Sequence, residues 1–301
     1  MFDSKAATLL AVVNCGSYTK AAAALSLTQP AVSHHIRQLE EEFGVQIFYK
    51  DKRELKLTPE GAVLVKYARR AMAIYHNAIQ AIADSKSKIK HFVVALTPTA
   101  GENLVPQTIA VYCNENPEIH INIFTDAIKN IYDKLKSYEA DIAIVEGRIS
   151  DPSFTTLLLD TDYLCLAVSP QHPFAGRGSV SLHELKGERF ILRSKAANTR
   201  VLFENYLQNQ SKSIRDFNVM MEIDNVATIK ELVSQNLGIT IIAHSACREE
   251  EQTGKLSVVP IENSSMVREI NMVVHRDFNH IEVLEELRQI YNSLKNGRPW
   301  A

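Results

Sequence analysis

The stretch GSYTKAAAALSLTQPAVSHHIRQLEEEFGVQIFYKDKRELKLTPEG, residues 16–61, decides how the N-terminal part of the chain is read. Residues 19–25 predict a short alanine-rich helix, with Ser17 or Thr19 as its N-cap. The alanines let a second helix approach closely. Thr28 caps that second helix, and Pro30 sits in its first turn, where a missing N–H costs nothing. From Gln29 to about Phe43, the side chains of Val32, Ile36, Leu39 and Phe43 share one face, and Gly44 ends the helix. The opposite face carries Gln29, Ser33, His34 and Arg37, all able to hydrogen-bond to bases or phosphates. Ile47-Phe48 and Leu55, Leu57 read as two strands. Lys50, Lys52 and Arg53 lie at the tip between them, within reach of phosphates or a minor groove. Helix, tight connection, helix and basic hairpin make the layout of a winged helix-turn-helix, which inserts one helix into the major groove of DNA.

The charge balance agrees. Residues 1–90 hold 13 Lys and Arg against 8 Asp and Glu, whereas the whole chain of 301 residues has a net charge of −2. A basic block on an acidic body fits a nucleic-acid-binding end joined to something else. The length leaves room for two or three domains. No run of about 18 apolar residues exists to span a membrane. Near the N-terminus, Phe2, Ala6, Leu9, Leu10 and Val13 are spaced for an amphipathic helix rather than a signal sequence. Cys15, Cys113, Cys165 and Cys247 are far apart and form no CxxC, which argues against a zinc finger or a disulfide framework. They fit a cytoplasmic chain and leave a redox pair open.

These residues resemble the LysR-type transcriptional regulators. The resemblance rests on Gly16-Ser17-Tyr18-Thr19-Lys20-Ala21-Ala22, Leu25, Thr28-Gln29-Pro30-Ala31-Val32-Ser33, Ile36, Leu39-Glu40, Gly44, Phe48, Arg53 and Leu57-Thr58-Pro59-Glu60-Gly61. Two departures stand out. Lys50 replaces a common arginine, keeping charge but losing bidentate geometry. The His34-His35 pair alters the face offered to bases; adjacent helical residues diverge, so it is not a metal site. The expected DNA-binding set is Gln29, Pro30, Ser33, His34, Arg37, Lys50, Lys52 and Arg53.

Thr58 and Pro59 start a long helix to about Lys88. Along it Leu64, Ala68, Ala71, Tyr75, Ala78 and Ile82 alternate steps of four and three, a heptad seam expected to pair with a second copy. The resemblance implies the same: a homodimer, extended to a homotetramer, reading a two-fold symmetric promoter. Residues 84–90 form a polar hinge.

Beyond residue 91, strand-like HFVVAL, HINIFT, DIAIVE and LCLAV alternate with helix-like ENLVPQTIAVYCNE, AIKNIYDKLKSY and NVATIKELVSQ. This predicts an α/β fold with largely parallel sheets. A faint internal repeat is visible: Phe92 precedes Asp126, and Phe190 precedes Asp224, by the same 34 positions. In each unit a strand is followed by small hydroxyl residues and a helix N-terminus, which suits an anionic small molecule.

The resemblance implies a two-lobed effector domain similar to periplasmic solute-binding proteins. Lobe I holds 91–163 and 268–301; lobe II holds 164–267. By position, Thr97, Thr99, Ala100, Glu146, Ser194, Asn198, Thr199, Asn225 and Val226 are expected to line the cleft. Each Thr or Ser could instead be a plain helix cap. Glu146 would repel an anion, so it either points away or selects a cationic group.

The expected chain thus has a DNA-binding domain (1–58), a dimerisation helix and hinge (59–90) and an effector domain (91–301). No catalytic, phosphate-loop or dinucleotide motif is present, so an enzyme is not expected, nor a metal or a cofactor beyond an unidentified effector. Promoter DNA, a second copy and the effector are the expected partners, with RNA polymerase a further candidate. The rival reading is a solute-binding protein or sensor without direct DNA binding.

Overall fold

The computed structural model describes residues 2–52, 54–87, 89–147, 149–264 and 266–297. Two compact units emerge. One runs to His91 and takes in Asp133–Glu139; the other holds Phe92–Tyr132 and the chain from Ala140 onward.

The first unit contains α1 (Phe2–Cys15), α2 (Tyr18–Ala24), α3 (Gln29–Phe43), the strands β1 (Phe48–Asp51) and β2 (Glu54–Leu57), and α4 (Pro59–Ser87). Local chemistry sets the boundaries. Ser17 caps α2, and the Thr28 side chain accepts the N–H of Ala31 to open α3. Gly44 closes α3 at φ 63°, a left-handed conformation that glycine adopts freely. The core joins Ala6, Leu9 and Val12 of α1, Ala21 and Ala22 of α2, and Val32, Ile36 and Leu39 of α3. Phe43, expected on this buried face, is exposed instead, in the last turn of α3.

The expected pairing seam on α4 needs correction. Leu64 and Ala68 are buried inside their own unit, packed in the core with α1, and Ala68 is 0% exposed. A helix of 29 residues is about 43 Å long, far longer than α1, so only its first turns find cover. Farther on, Ile74, Tyr75, Ala78, Ile79 and Ile82 are exposed, and Ala71 is half-buried. Periodicity shows that a stripe is apolar but not which partner covers it, and here the partner changes along the helix.

The rest of the chain forms β3 (Lys90–Leu96), α5 (Val105–Glu115), β4 (Ile119–Thr125), α6 (Ile128–Lys136), β5 (Ile142–Glu146), β6 (Phe154–Val168), β7 (Arg189–Leu192), α7 (Asn198–Asn209), β8 (Asn218–Glu222), α8 (Val226–Ser234), β9 (Thr240–Ala243), α9 (Arg248–Gln252), β10 (Ser257–Val259), β11 (Val267–His275) and α10 (Ile281–Lys295), all in the second unit apart from the first two residues of β3 and the last four of α6. Two apolar cores form. One gathers Phe92, Val94 and Leu96, Ile109 and Tyr112, Ile142 and Ile144, and Leu284, Leu287 and Tyr291. The other gathers Leu164–Val168, Phe190, Phe203, Phe217, Ile229, Ile239 and Val259.

The sheets are mixed rather than largely parallel. β3 and β5 are parallel, as are β7 and β8. β11 runs antiparallel to both β5 and β6, and β6 runs antiparallel to β9 and β10. The antiparallel pairs arise because β6 and β11 are long crossovers. Leu159 of β6 lies in the first core and Leu164 in the second, while Met266 precedes β11 in the second core and Ile270 lies in the first.

Candidate functional site

On α3, Gln29, Pro30, His34 and Arg37 are exposed and Ser33 is partly so, opposite the buried Val32, Ile36 and Leu39. Gln29 Nε2 donates to Ser33 Oγ at 2.8 Å, one turn on, so the amide and the hydroxyl form a continuous polar edge. The neighbouring histidines divide. His34 faces outward, whereas His35 Nδ1 meets Thr8 Oγ1 at 2.9 Å and ties α3 to α1. Among the described residues Arg37, Lys50 and Lys52 enter no ion pair, so their charges are available to phosphates. In the hairpin, Lys50 pairs with Leu55 across the strands, and Lys52 turns the chain at φ 57°. Lys56 is committed to Asp51. Arg53 lies outside the described residues.

In the second unit a cavity of about 290 Å³ is lined from the first core's side by Thr97, Pro98, Thr99, Asp126, Ala127, Ile128 and Glu146. Arg193, Ser194, Ala196, Ala197, Asn198 and Asp224 line it from the second. Its polar groups are tightly placed. Thr97 Oγ1 donates to Glu146 Oε1 at 2.8 Å, and Glu146, 4% exposed, also lies 3.9 Å from Arg268. Asp126 Oδ1 accepts the Ala127 N–H and the Asn130 amide. Asn198 Nδ2 reaches the Glu146 carbonyl at 3.5 Å. Arg193 is 7% exposed. Burial pushes its guanidinium down from the usual range, against the opposing fields of Asp224 and Glu146.

The comparisons with known proteins point one way. Residues 4–62 match the model described as "Bacterial regulatory helix-turn-helix protein, lysR family", and residues 86–294 match "LysR substrate binding domain". The chain belongs to the LysR family. A probable RuBisCO transcriptional regulator of Emiliania huxleyi is 31% identical over 264 residues, covering 86% of this chain and 84% of its own. The HTH-type regulator CysL of Bacillus subtilis is 27% identical, covering 88% of each chain. Among solved structures, full-length CbnR in complex with its target DNA superposes with a TM-score of 0.70 at 13% identity, covering 97% of this chain and 99% of that one, a likeness of fold.

This LysR-family chain is therefore a DNA-binding transcriptional regulator with an effector-binding domain, and not an enzyme. The rival, a solute-binding protein without direct DNA binding, leaves the helix-turn-helix of residues 4–62 unexplained. No described helix is long and apolar enough to cross a membrane, and no group of His, Cys, Asp and Glu among the described residues is arranged to hold a metal.

Five residues expected in the cleft line the cavity: Thr97, Thr99, Glu146, Ser194 and Asn198. Four do not. Ala100 and Val226 are buried in the apolar cores, and exposed Asn225 accepts the Thr228 N–H as the cap of α8. Thr199 is buried and takes a hydrogen bond from Arg268, so its hydroxyl is already used. Arg193, Asp126 and Asp224 were missed. For the two aspartates a signal existed: they are the end points of the repeat. In both repeats the chain beside the aspartate returns to the first strand, with Asp126 N–H on Leu96 O and Ile223 N–H on Leu192 O. That return delivers each carboxylate to the cavity rim.

Proposed function

We propose that α3 lies in the major groove of duplex promoter DNA. Gln29, Ser33, His34 and Arg37 read base edges, Pro30 lies beside them, and Lys50 and Lys52 hold phosphates. The supporting observation is the exposed, polar face of α3, whose Arg37 enters no ion pair among the described residues and which helix stability alone does not require. Two chains pair through the exposed part of α4, so that two α3 helices meet a two-fold symmetric site; pairs of pairs make the tetramer. A small-molecule effector in the cavity shifts the equilibrium between arrangements of the two lobes, altering operator spacing and bend, and hence RNA polymerase recruitment. Residues 1–58, 59–90 and 91–301 are the corresponding functional segments, working in the cytoplasm where promoter DNA is.

Arg37→Ala is expected to weaken operator binding by about 1–3 kcal/mol, the value of one good base contact. Gel-shift titration of the genomic fragment upstream of the gene measures this, and unchanged affinity removes Arg37 from the interface. Thr99→Val should act at the other end. Thr99 lines the cavity, and its hydroxyl makes no hydrogen bond to the described residues, so it is free for a ligand. The variant should bind DNA normally and respond less to effector; equal loss of both would assign Thr99 to folding.

A further inference from the structure

The cavity's charges are unusual for a site meant for one sign of ligand. Three carboxylates, of Asp126, Glu146 and Asp224, and one guanidinium, of Arg193, line it; a second guanidinium, of Arg268, lies outside the lining, 3.9 Å from Glu146 and paired with Asp162. A simple anion would meet an excess of formal negative charge. A simple cation would leave Arg193 buried without a close ion pair, balanced only by the more distant fields of Asp224 and Glu146, and a poorly paired buried charge is costly. Arg193 forms no ion pair within the described residues, and its Nε is buried without a hydrogen-bond partner.

The two charges sit with different supporting structure. Beside Arg193, the N-terminus of the 12-residue α7 opens at Ala197, with no side chain capping it. Free N–H groups and the guanidinium together favour a carboxylate. On the opposite side, Asp126 and Glu146 each use one oxygen for local hydrogen bonds, and their second oxygens accept none from the described residues. Those oxygens favour an ammonium group. At about 290 Å³ the cavity is at the small end of the roughly 300–1,000 Å³ range of small-molecule sites.

We propose that the ligand of this cavity is a small zwitterion of the amino-acid class, its carboxylate held by Arg193 and the α7 N-terminus and its ammonium by Asp126 and Glu146. This rests on the cavity being the effector site. Zwitterionic selection follows from the pairing: a singly charged analogue satisfies one end and leaves the other end's charge desolvated and unmatched.

Thermal unfolding of the full chain tests this, with the common L-α-amino acids as probes, each beside its N-acetyl and amide derivatives at millimolar concentration. At least one amino acid should raise Tm by about 2–6 °C, by binding linkage. Its N-acetyl form, lacking the ammonium, and its amide, lacking the carboxylate, should not. Arg193→Gln and Asp126→Asn should each abolish the shift. Asp126 is only partly buried, so its variant keeps the test valid if Arg193→Gln fails to fold.

Ala196→Trp, which fills the cavity from an exposed rim position, separates the two readings. A shift that survives acetylation or amidation but is lost in Ala196→Trp overturns the zwitterion and keeps the cavity as effector site. A shift that persists in Ala196→Trp overturns both. No shift from any amino acid overturns the zwitterion.

Discussion

Gly61→Ala is expected to destabilise the N-terminal unit by about 2 kcal/mol, a large share of the marginal stability of a small domain. Gly61 is the third residue of α4, where alanine normally favours a helix by about 1 kcal/mol. Here a Cβ would stand 2.2 Å from the Ile47 carbonyl oxygen and 3.0 Å from Thr58 Oγ1. Neither neighbour can give way. The Ile47 carbonyl accepts the Thr58 N–H at 3.0 Å, and Thr58 Oγ1 accepts the Gly61 N–H at 2.9 Å while donating to the Gln46 carbonyl. The methyl would have to part the hairpin from α4, and overpacking against fixed backbone outweighs the propensity gain. Urea denaturation of the variant measures the effect; unchanged or increased stability would refute it. Gly44→Ala is the comparison. Open space surrounds Gly44, so its cost is only the left-handed backbone, about 1–2 kcal/mol.

The second large effect separates the two stretches of α4. If two chains pair through α4 as proposed, Ile82→Glu should leave each chain folded and yield monomers, because Ile82 is 60% exposed within one chain. Operator affinity should then fall by about 10²-fold or more, since the second half-site no longer binds at high effective concentration. Ala68→Glu should instead unfold the N-terminal unit, placing a carboxylate in a core position of 0% exposure. Light scattering and circular dichroism distinguish the two. A folded, dimeric Ile82→Glu would move the self-association surface off α4.

Elements bounded by local chemistry were legible from the residues alone. α3 runs over Gln29–Phe43 as expected because Thr28, Pro30 and Gly44 act within one turn of its ends. Elements whose reasons lie far away were not. β11 and the first half of β6 were missed: their partners are each other, about a hundred residues apart, as Arg268 opposite Asp162 illustrates. A buried arginine in a strand is intelligible only once that aspartate, at 3.2 Å, and Thr199 are beside it. The cleft followed the same division. Hydroxyl residues after a strand marked the loops that line the cavity, but Arg193 carries no local pattern, and its importance comes from lacking a close ion pair among the described residues. Leu64 and Ala68 show the converse, a clear pattern that names the wrong partner.

The crossing of β6 and β11 constrains how any ligand signal can leave the cavity. These strands pair from Val267–Tyr163 to His275–Phe154, with one irregularity at Ile270/Asn271. Such a ribbon behaves like a leaf spring. The irregularity interrupts the ladder and bends the strand locally, while the paired stretches on either side resist sliding. On the effector-gated reading proposed above, the lobes would be confined to a single swinging coordinate. A small ligand then need not specify a new structure; it only chooses a position along one arc.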